Sequence, residues 1–231
     1  MSARKLVIFD CDGTLVDSQN AIVAAMNEAF RENELEPPSR AETLSTVGLS
    51  PVESMQKLQP DAPEDAHVML ATSYKLVHRG FIANPQHVEN LFEGARETLM
   101  RLANNPLALL GIATGNSQRG MRRIVEQHQL QGCFTTIQTA DDAPSKPHPA
   151  MIHQAIEEAE VEFENTVMVG DTTYDIDMAH RAGIAAIGVG WGYHTQVELK
   201  SRKPKYFVND FKELNGLVDK YIEEPAGISH G

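Results

Sequence analysis

Two carboxylates, Asp10 and Asp12, stand one residue apart in the stretch Lys5-Leu6-Val7-Ile8-Phe9-Asp10-Cys11-Asp12-Gly13-Thr14-Leu15-Val16-Asp17-Ser18. Desolvation and mutual repulsion disfavour two ionised carboxylates at one buried point. A divalent cation would offset both, and hard oxygen ligands suit Mg²⁺. Taken alone, Asp-x-Asp-Gly fits equally well a strand end that turns with its carboxylates in water. Further polar clusters follow: Thr114-Gly115-Asn116, then Lys146 in Ser145-Lys146-Pro147-His148-Pro149, then Gly170-Asp171 with Asp175 behind it. Each has an ordinary reading: a turn into a helix, a solvated lysine, an N-cap and a first-turn acid.

The elements that carry these residues change that balance. Leu6 to Phe9 is an unbroken apolar run, the pattern of a strand buried on both faces. Similar runs are expected at 107–113, 134–139, 166–169, 185–189 and 206–208. Helices are expected at 94–104, 119–129, 149–159, 176–182 and 211–221, with Gly183 closing the fourth as a C-terminal cap. Strand and helix alternate, which predicts a parallel sheet covered on both faces. Between residue 17 and about residue 85 only helical patterns occur, at 20–34, 41–46, 51–58 and 65–83. The fold class is therefore α/β, a Rossmann-like parallel sheet with an inserted all-helical segment. Residues 1–17 and 86–231 would form the core and 18–85 the insertion. The tail, 223–231, lacks apolar periodicity and is expected to fray. All the polar clusters fall on the carboxyl edge of one sheet, where ligands bind in open α/β folds. Carboxylates, a hydroxyl, a lysine and free amides then converge on one point.

The chain has 231 residues, 42% of them apolar, enough for a core domain with a smaller insertion. Its net charge of −12 argues against nonspecific binding to nucleic acid or to an anionic membrane. It leaves room for an anionic substrate, because a metal and local amides reverse the sign inside a pocket. Two cysteines, Cys11 and Cys133, do not make a disulfide framework and fit a reducing cytoplasm. No signal peptide or membrane-spanning run is read.

Asp10-x-Asp12-Gly13-Thr14, Thr114, Lys146 and Gly170-Asp171-x-x-x-Asp175 resemble, in order, the four motifs of the haloacid dehalogenase superfamily. The resemblance covers essentially the whole chain, and the helical insertion resembles that family's small cap. It implies a phosphatase that forms an aspartyl-phosphate on Asp10. Asp12 would protonate the leaving oxygen and then activate water. Thr114 and the amides of Gly13 and Gly115 would hold phosphoryl oxygens, with Asn116 nearby and Lys146 balancing charge. The implied cofactor is Mg²⁺, held by Asp10, the backbone carbonyl of Asp12 and Asp171, with Asp175 supporting these ligands from behind or acting through water. The implied partner is a small phosphorylated metabolite, acted on by a monomer or homodimer.

Founding dehalogenases typically lack the second Asp of the first motif, so Asp12 favours phosphate chemistry. Within the family the chain looks most like phosphoglycolate phosphatases. Phosphohexomutases of the β-phosphoglucomutase type are the runner-up. Those carry an Arg shortly after the cap-loop Gly, whereas Val47-Gly48-Leu49-Ser50-Pro51-Val52 has none. A module that binds a phosphorylated ligand without turnover is a third reading, opposed by the completeness of the catalytic positions. Substrate choice is expected around 47–55. Trp191-Gly192-Tyr193-His194 could line the entrance and share in substrate choice, but reads first as a loop covering the core edge; His148 and His194 read as loop histidines; Arg119, Arg122 and Arg123 could attract an anion, but read first as a solvated helix face. Hinges are expected near 17–20 and 85–90.

Overall fold

The computed structural model describes residues 3–83 and 88–224. In chain order the elements are β1 (Lys5–Phe9), β2 (Val16–Asp17), α1 (Gln19–Glu32), α2 (Arg40–Leu44), α3 (Pro51–Leu58), α4 (Glu64–Ala83) and β3 (Asn90–Leu91). They continue with α5 (Ala95–Ala103), β4 (Ala108–Thr114), α6 (Gln118–Gln127), β5 (Thr136–Thr139), α7 (Ala150–Ala159) and β6 (Thr166–Gly170). The last are α8 (Thr173–Ala182), β7 (Ala185–Val189), α9 (Gln196–Ser201), β8 (Tyr206–Val208) and α10 (Phe211–Glu223).

Six strands form one sheet in the order β5-β4-β1-β6-β7-β8. Every pairing in it is parallel. The continuous apolar run of β1 has a direct cause. Val7 and Phe9 point into one core layer, with Leu99 of α5, Met121 and Ile124 of α6 and Leu214 of α10. Leu6 and Ile8 point into the other, with Ile152 of α7 and Ala179 of α8. All four are fully buried, each stabilising the fold by roughly 1.5–3 kcal/mol. That helps offset the cost of burying Asp10 next in line.

Helices α1 to α4 lie between β2 and β3 and hold a small core of their own: Met26, Phe30, Met55, Leu70 and Ala71. Ser39 and Ser50 cap α2 and α3, each accepting from a glutamate N–H three residues on. The expected boundary between core and insertion, at residues 85 and 86, lies outside the described residues. So does the tail beyond residue 224. Three elements had no sequence signal. The two-residue strands β2 and β3 pair antiparallel at the foot of the insertion, Val16 with Leu91 and Asp17 with Asn90. Helix α9 is a short segment started by a Thr195–Glu198 capping box. Helix α8 begins three residues earlier than its apolar pattern, because Thr172 and Asp175 form another capping box.

Candidate active site

Parallel pairing fixes the site. Strand β1 lies between β4 and β6 in register, Phe9 opposite Ile112 and Val169. The residues that leave the three strands at their carboxyl ends therefore meet. Asp10 follows β1, Thr114 ends β4, and Asp171 follows β6. Asp10, Thr114, Lys146, Asp171 and Asp175 are all nearly inaccessible to solvent.

Lys146 sits between two carboxylates. Its Nζ lies 2.8 Å from Asp10 Oδ1 and donates to Asp175 Oδ1 at 2.6 Å. Burial opposes the lysine charge, but Asp10 and Asp175 outweigh it and hold the ammonium above its ordinary pKa. Burial drives Asp10 in the unfavourable direction, well above the usual carboxylate range; Lys146 pulls back, and Asp175 and Asp171 push further up. Asp10 Oδ1 also accepts from the Cys11 N–H at 2.7 Å. Asp10 Oδ2 is buried with no hydrogen-bond partner.

Asp171 accepts from Thr14 Oγ1 at 2.7 Å and from the Tyr193 N–H at 2.8 Å. Burial and the neighbouring Asp175 push its pKa up to about 7. Gly13, at φ +91°, packs so close that an added Cβ would lie 2.3 Å from Asp171 Oδ2. A side chain there is excluded twice, by backbone conformation and by space. Asp175 Oδ2 accepts from the N–H and hydroxyl of Thr172. That settles the local reading of this turn: Thr172, not Asp171, caps α8, which leaves Asp171 free to face the site.

Asp12 is half-buried. It accepts from Asn116 Nδ2 at 3.2 Å. Burial raises its pKa, Glu89 adds to the rise, and hydrogen bonds from Ser18 and Asn116 oppose it. A carboxyl that holds a proton more readily than usual suits a general acid. The Asn116 N–H in turn donates to Thr114 Oγ1, which ties the loop after β4 into one unit.

One oxygen each of Asp10, Asp171 and Asp175 lies within 4.8 Å of the others, all from buried side chains. Three hard, buried oxygen donors and one unpartnered carboxylate oxygen fit a small divalent cation. The other negative charges do not solvate themselves, and Lys146 alone does not balance them.

The sequence reading missed several neighbours. Tyr193 donates its N–H to Asp171, and its hydroxyl accepts from the Ser18 N–H at 2.8 Å. The loop at 191–194 is thus part of the site as well as a cover. Trp191 does cover the core edge, stacking on Phe211, and it donates Nε1–H to the Thr14 carbonyl. His194 is buried between the Thr173 N–H and the Ser45 carbonyl of the insertion. Arg119 and Arg122 are exposed as expected, whereas Arg123 is partly buried and paired with Glu89. Tyr193 and Glu89 lie far in sequence from the groups they touch, so no local pattern announces them.

The family model for haloacid dehalogenase-like hydrolases matches residues 7–189, a span that holds Asp10, Asp12, Thr114, Lys146, Asp171 and Asp175. The chain belongs to that family. It is 36% identical to "Probable phosphatase IndB" of Dickeya dadantii, over 95% of this chain and 96% of that one. It is 30% identical to "Pyrophosphatase PpaX" of Oceanobacillus iheyensis, over 94% and 98%. The fold matches that of a Haemophilus somnus protein described as a "predicted phosphoglycolate phosphatase", with a TM-score of 0.81 and 23% identity, over 94% and 99% of the two chains. Among the described residues no helix is long and apolar enough to cross a membrane.

Proposed function

We propose that this hydrolase is a magnesium-dependent phosphatase that cleaves a phosphomonoester through an aspartyl-phosphate on Asp10. The observation that carries the reading is the buried, unpartnered Oδ2 of Asp10 beside Lys146, Asp171 and Asp175. An oxygen with no hydrogen bond to break is ready to form a bond to phosphorus. The relatives named as phosphatases support it. Asp10 attacks, the ester P–O bond breaks, and Asp12 gives its proton to the departing oxygen. Asp12 then takes a proton from the water that releases phosphate and regenerates Asp10. Thr114, the amide of Gly115 and Asn116 hold the phosphoryl oxygens; the Gly13 N–H, expected to join them, is instead given to the Val16 carbonyl at 2.9 Å. Lys146 balances the charge of Asp10 and phosphate together. Asp10, Asp171 and the Asp12 carbonyl would hold Mg²⁺, with Asp175 in support; when bound, the ion supplies positive charge against the phosphoryl oxygens.

Residues 18–85 act in this reading as the cap over the site. The substrate is a small phosphorylated metabolite, with phosphoglycolate and pyrophosphate as the first compounds to try. Cys11 and Cys133 are both free thiols, which supports a reducing, cytoplasmic setting. The test is phosphate release from a panel of phosphate esters with Mg²⁺, with EDTA, and with Asp10→Asn. Magnesium-dependent release that falls roughly 10³-fold or more in the variant is expected. Release that survives the substitution would remove Asp10 as nucleophile.

A further inference from the structure

A cavity of about 640 Å³ opens beside Asp12 between the helical insertion and the core. Its volume is not a gap left by a displaced cap. The Ser50 N–H donates to Ser145 Oγ at 2.8 Å, and Tyr174 donates its hydroxyl to the Ser45 carbonyl at 2.9 Å. A Cβ on Gly115 would lie 2.6 Å from the Leu49 carbonyl oxygen. The insertion is seated on the core, and the space remains. That size is ordinary for a pocket that takes a drug-sized molecule. Pyrophosphate or phosphoglycolate, with a handful of heavy atoms each, would fill a corner of it.

The walls define what fits. Ile22, Met26, Val52 and Ile82 line the cavity with apolar surface. The rings of Tyr74 and His78 lie stacked along it, 5.6 Å apart and 23° from parallel. A small, fully polar substrate would leave this surface wet, whereas a ring laid against it gains from burial and from stacking. Lys75 and Arg79, one turn apart on α4, and Arg119 at the start of α6 also line the cavity. Among the described residues none of the three has an ion-pair or hydrogen-bond partner. Arg123, a turn further along α6, is by contrast paired with Glu89. The acidic groups in the same lining, Asp12 and Asp141, accept from Asn116 and from the Gln118 N–H and pair with none of the three, so among the described residues three cations without partners mark the place of an anion.

We propose that the leaving alcohol of the substrate is a ring-sized, partly apolar body that carries a second anionic group, recognised by Lys75, Arg79 and Arg119. The proposal rests on the phosphatase reading above for the position of the phosphate. It is tested with four probes: phosphoglycolate, pyrophosphate, benzyl phosphate and 4-carboxybenzyl phosphate. The benzyl pair shares an alcohol-type leaving group and differs in the added charge. Turnover of the wild-type enzyme with Mg²⁺ and binding to Asp10→Asn by calorimetry are both measured. Binding of 4-carboxybenzyl phosphate about tenfold or more above phosphoglycolate and pyrophosphate is expected, with benzyl phosphate between. In Arg79→Ala/Arg119→Ala the preference for the carboxylated ester over benzyl phosphate falls about fivefold, in KM rather than kcat. Turnover with phosphoglycolate or pyrophosphate preferred in both assays overturns the substrate proposal and leaves the phosphatase reading intact. Tightest binding of the carboxylated ester with no turnover of any probe does the reverse. An equal loss for both benzyl esters in the double variant removes the anion site.

Discussion

The floor of the site and the wall of the cavity beside it are built on opposite plans. On the floor, Lys146, Asp171 and Asp175 are buried and hold partners. Only one carboxylate oxygen, Oδ2 of Asp10, lacks one. On the wall, Lys75 and Arg79 of α4 and Arg119 of α6 are exposed among apolar side chains, and among the described residues none of the three has an ion-pair or hydrogen-bond partner. A network in which each group fixes the next tolerates one geometry, because any loss leaves a buried charge unmatched. A wall of unpaired groups can change residue by residue at little cost to folding. In the proposed reading the chemistry is built into the floor, and the choice of substrate is left to the wall. The insertion that carries α4 also has a hydrophobic core separate from that under the floor, so a change on α4 need not loosen the floor.

The contrast breaks most visibly at Lys146. Lys146→Ala leaves Asp10 and Asp175 buried without their shared cation. Loss of activity is expected together with a stability loss of about 3–5 kcal/mol, read as a lower urea midpoint at constant slope. An alanine variant as stable as the wild type would show that the floor is not interlocked.

The second prediction concerns pH and metal. In the folded protein Asp171 is pushed up to about 7, by burial first and Asp175 next, whereas an unfolded aspartate titrates near 4. Between these values the folded state holds a proton that the unfolded chain has lost. Stability of the metal-free protein therefore falls as pH rises from about 4 to about 7, by at most about 1.4 kcal/mol per pH unit from this group. Mg²⁺ must displace that proton, so its affinity rises over the upper part of the same range and levels off above about pH 7. Thermal melts at pH 5.5, 6.5 and 7.5, with Mg²⁺ and with EDTA, should show a stabilisation by metal that grows with pH. A constant increment would mean that no floor carboxylate is protonated in the metal-free enzyme.

The smallest effect tests how cap and floor communicate. Tyr174 precedes Asp175 and donates its hydroxyl to Ser45 of the cap, where Lys57 also donates. Tyr174→Phe removes two hydrogen bonds, the one to the Ser45 carbonyl and the one the hydroxyl accepts from Lys57 Nζ at 2.7 Å, a loss of about 2 kcal/mol. KM is expected to rise about fivefold with kcat little changed. A large fall in kcat instead would show that the cap contact also positions Asp175.

The sequence carried much of this before any coordinates. An apolar run with no period-two alternation marks β1 as buried on both faces, and Asp10 and Asp12 sit where that run stops. The same logic places Thr114 and Asp171 at strand ends, and the helical periods separate the insertion from the core. These features are legible because burial writes itself locally, through the spacing of apolar residues and the turns between them. Contacts made across the chain leave no such mark. Tyr193 reaches Asp171 and Ser18 from a loop after β7, and Glu89 holds Arg123 near the foot of the insertion. Strands as short as β2 and β3 have too few residues to show a period, and only their pairing makes them strands. The residue types and their order thus determined the sheet, the helical segment between β2 and β3, and the polar groups that meet at the carboxyl edge of the sheet. Only the tertiary structure decided which oxygen of Asp10 stays unpartnered, how closely the cap seats on Gly115, and what shape of cavity remains. Those outcomes depend on distances between segments far apart in sequence, which packing sets and spacing along the chain does not encode.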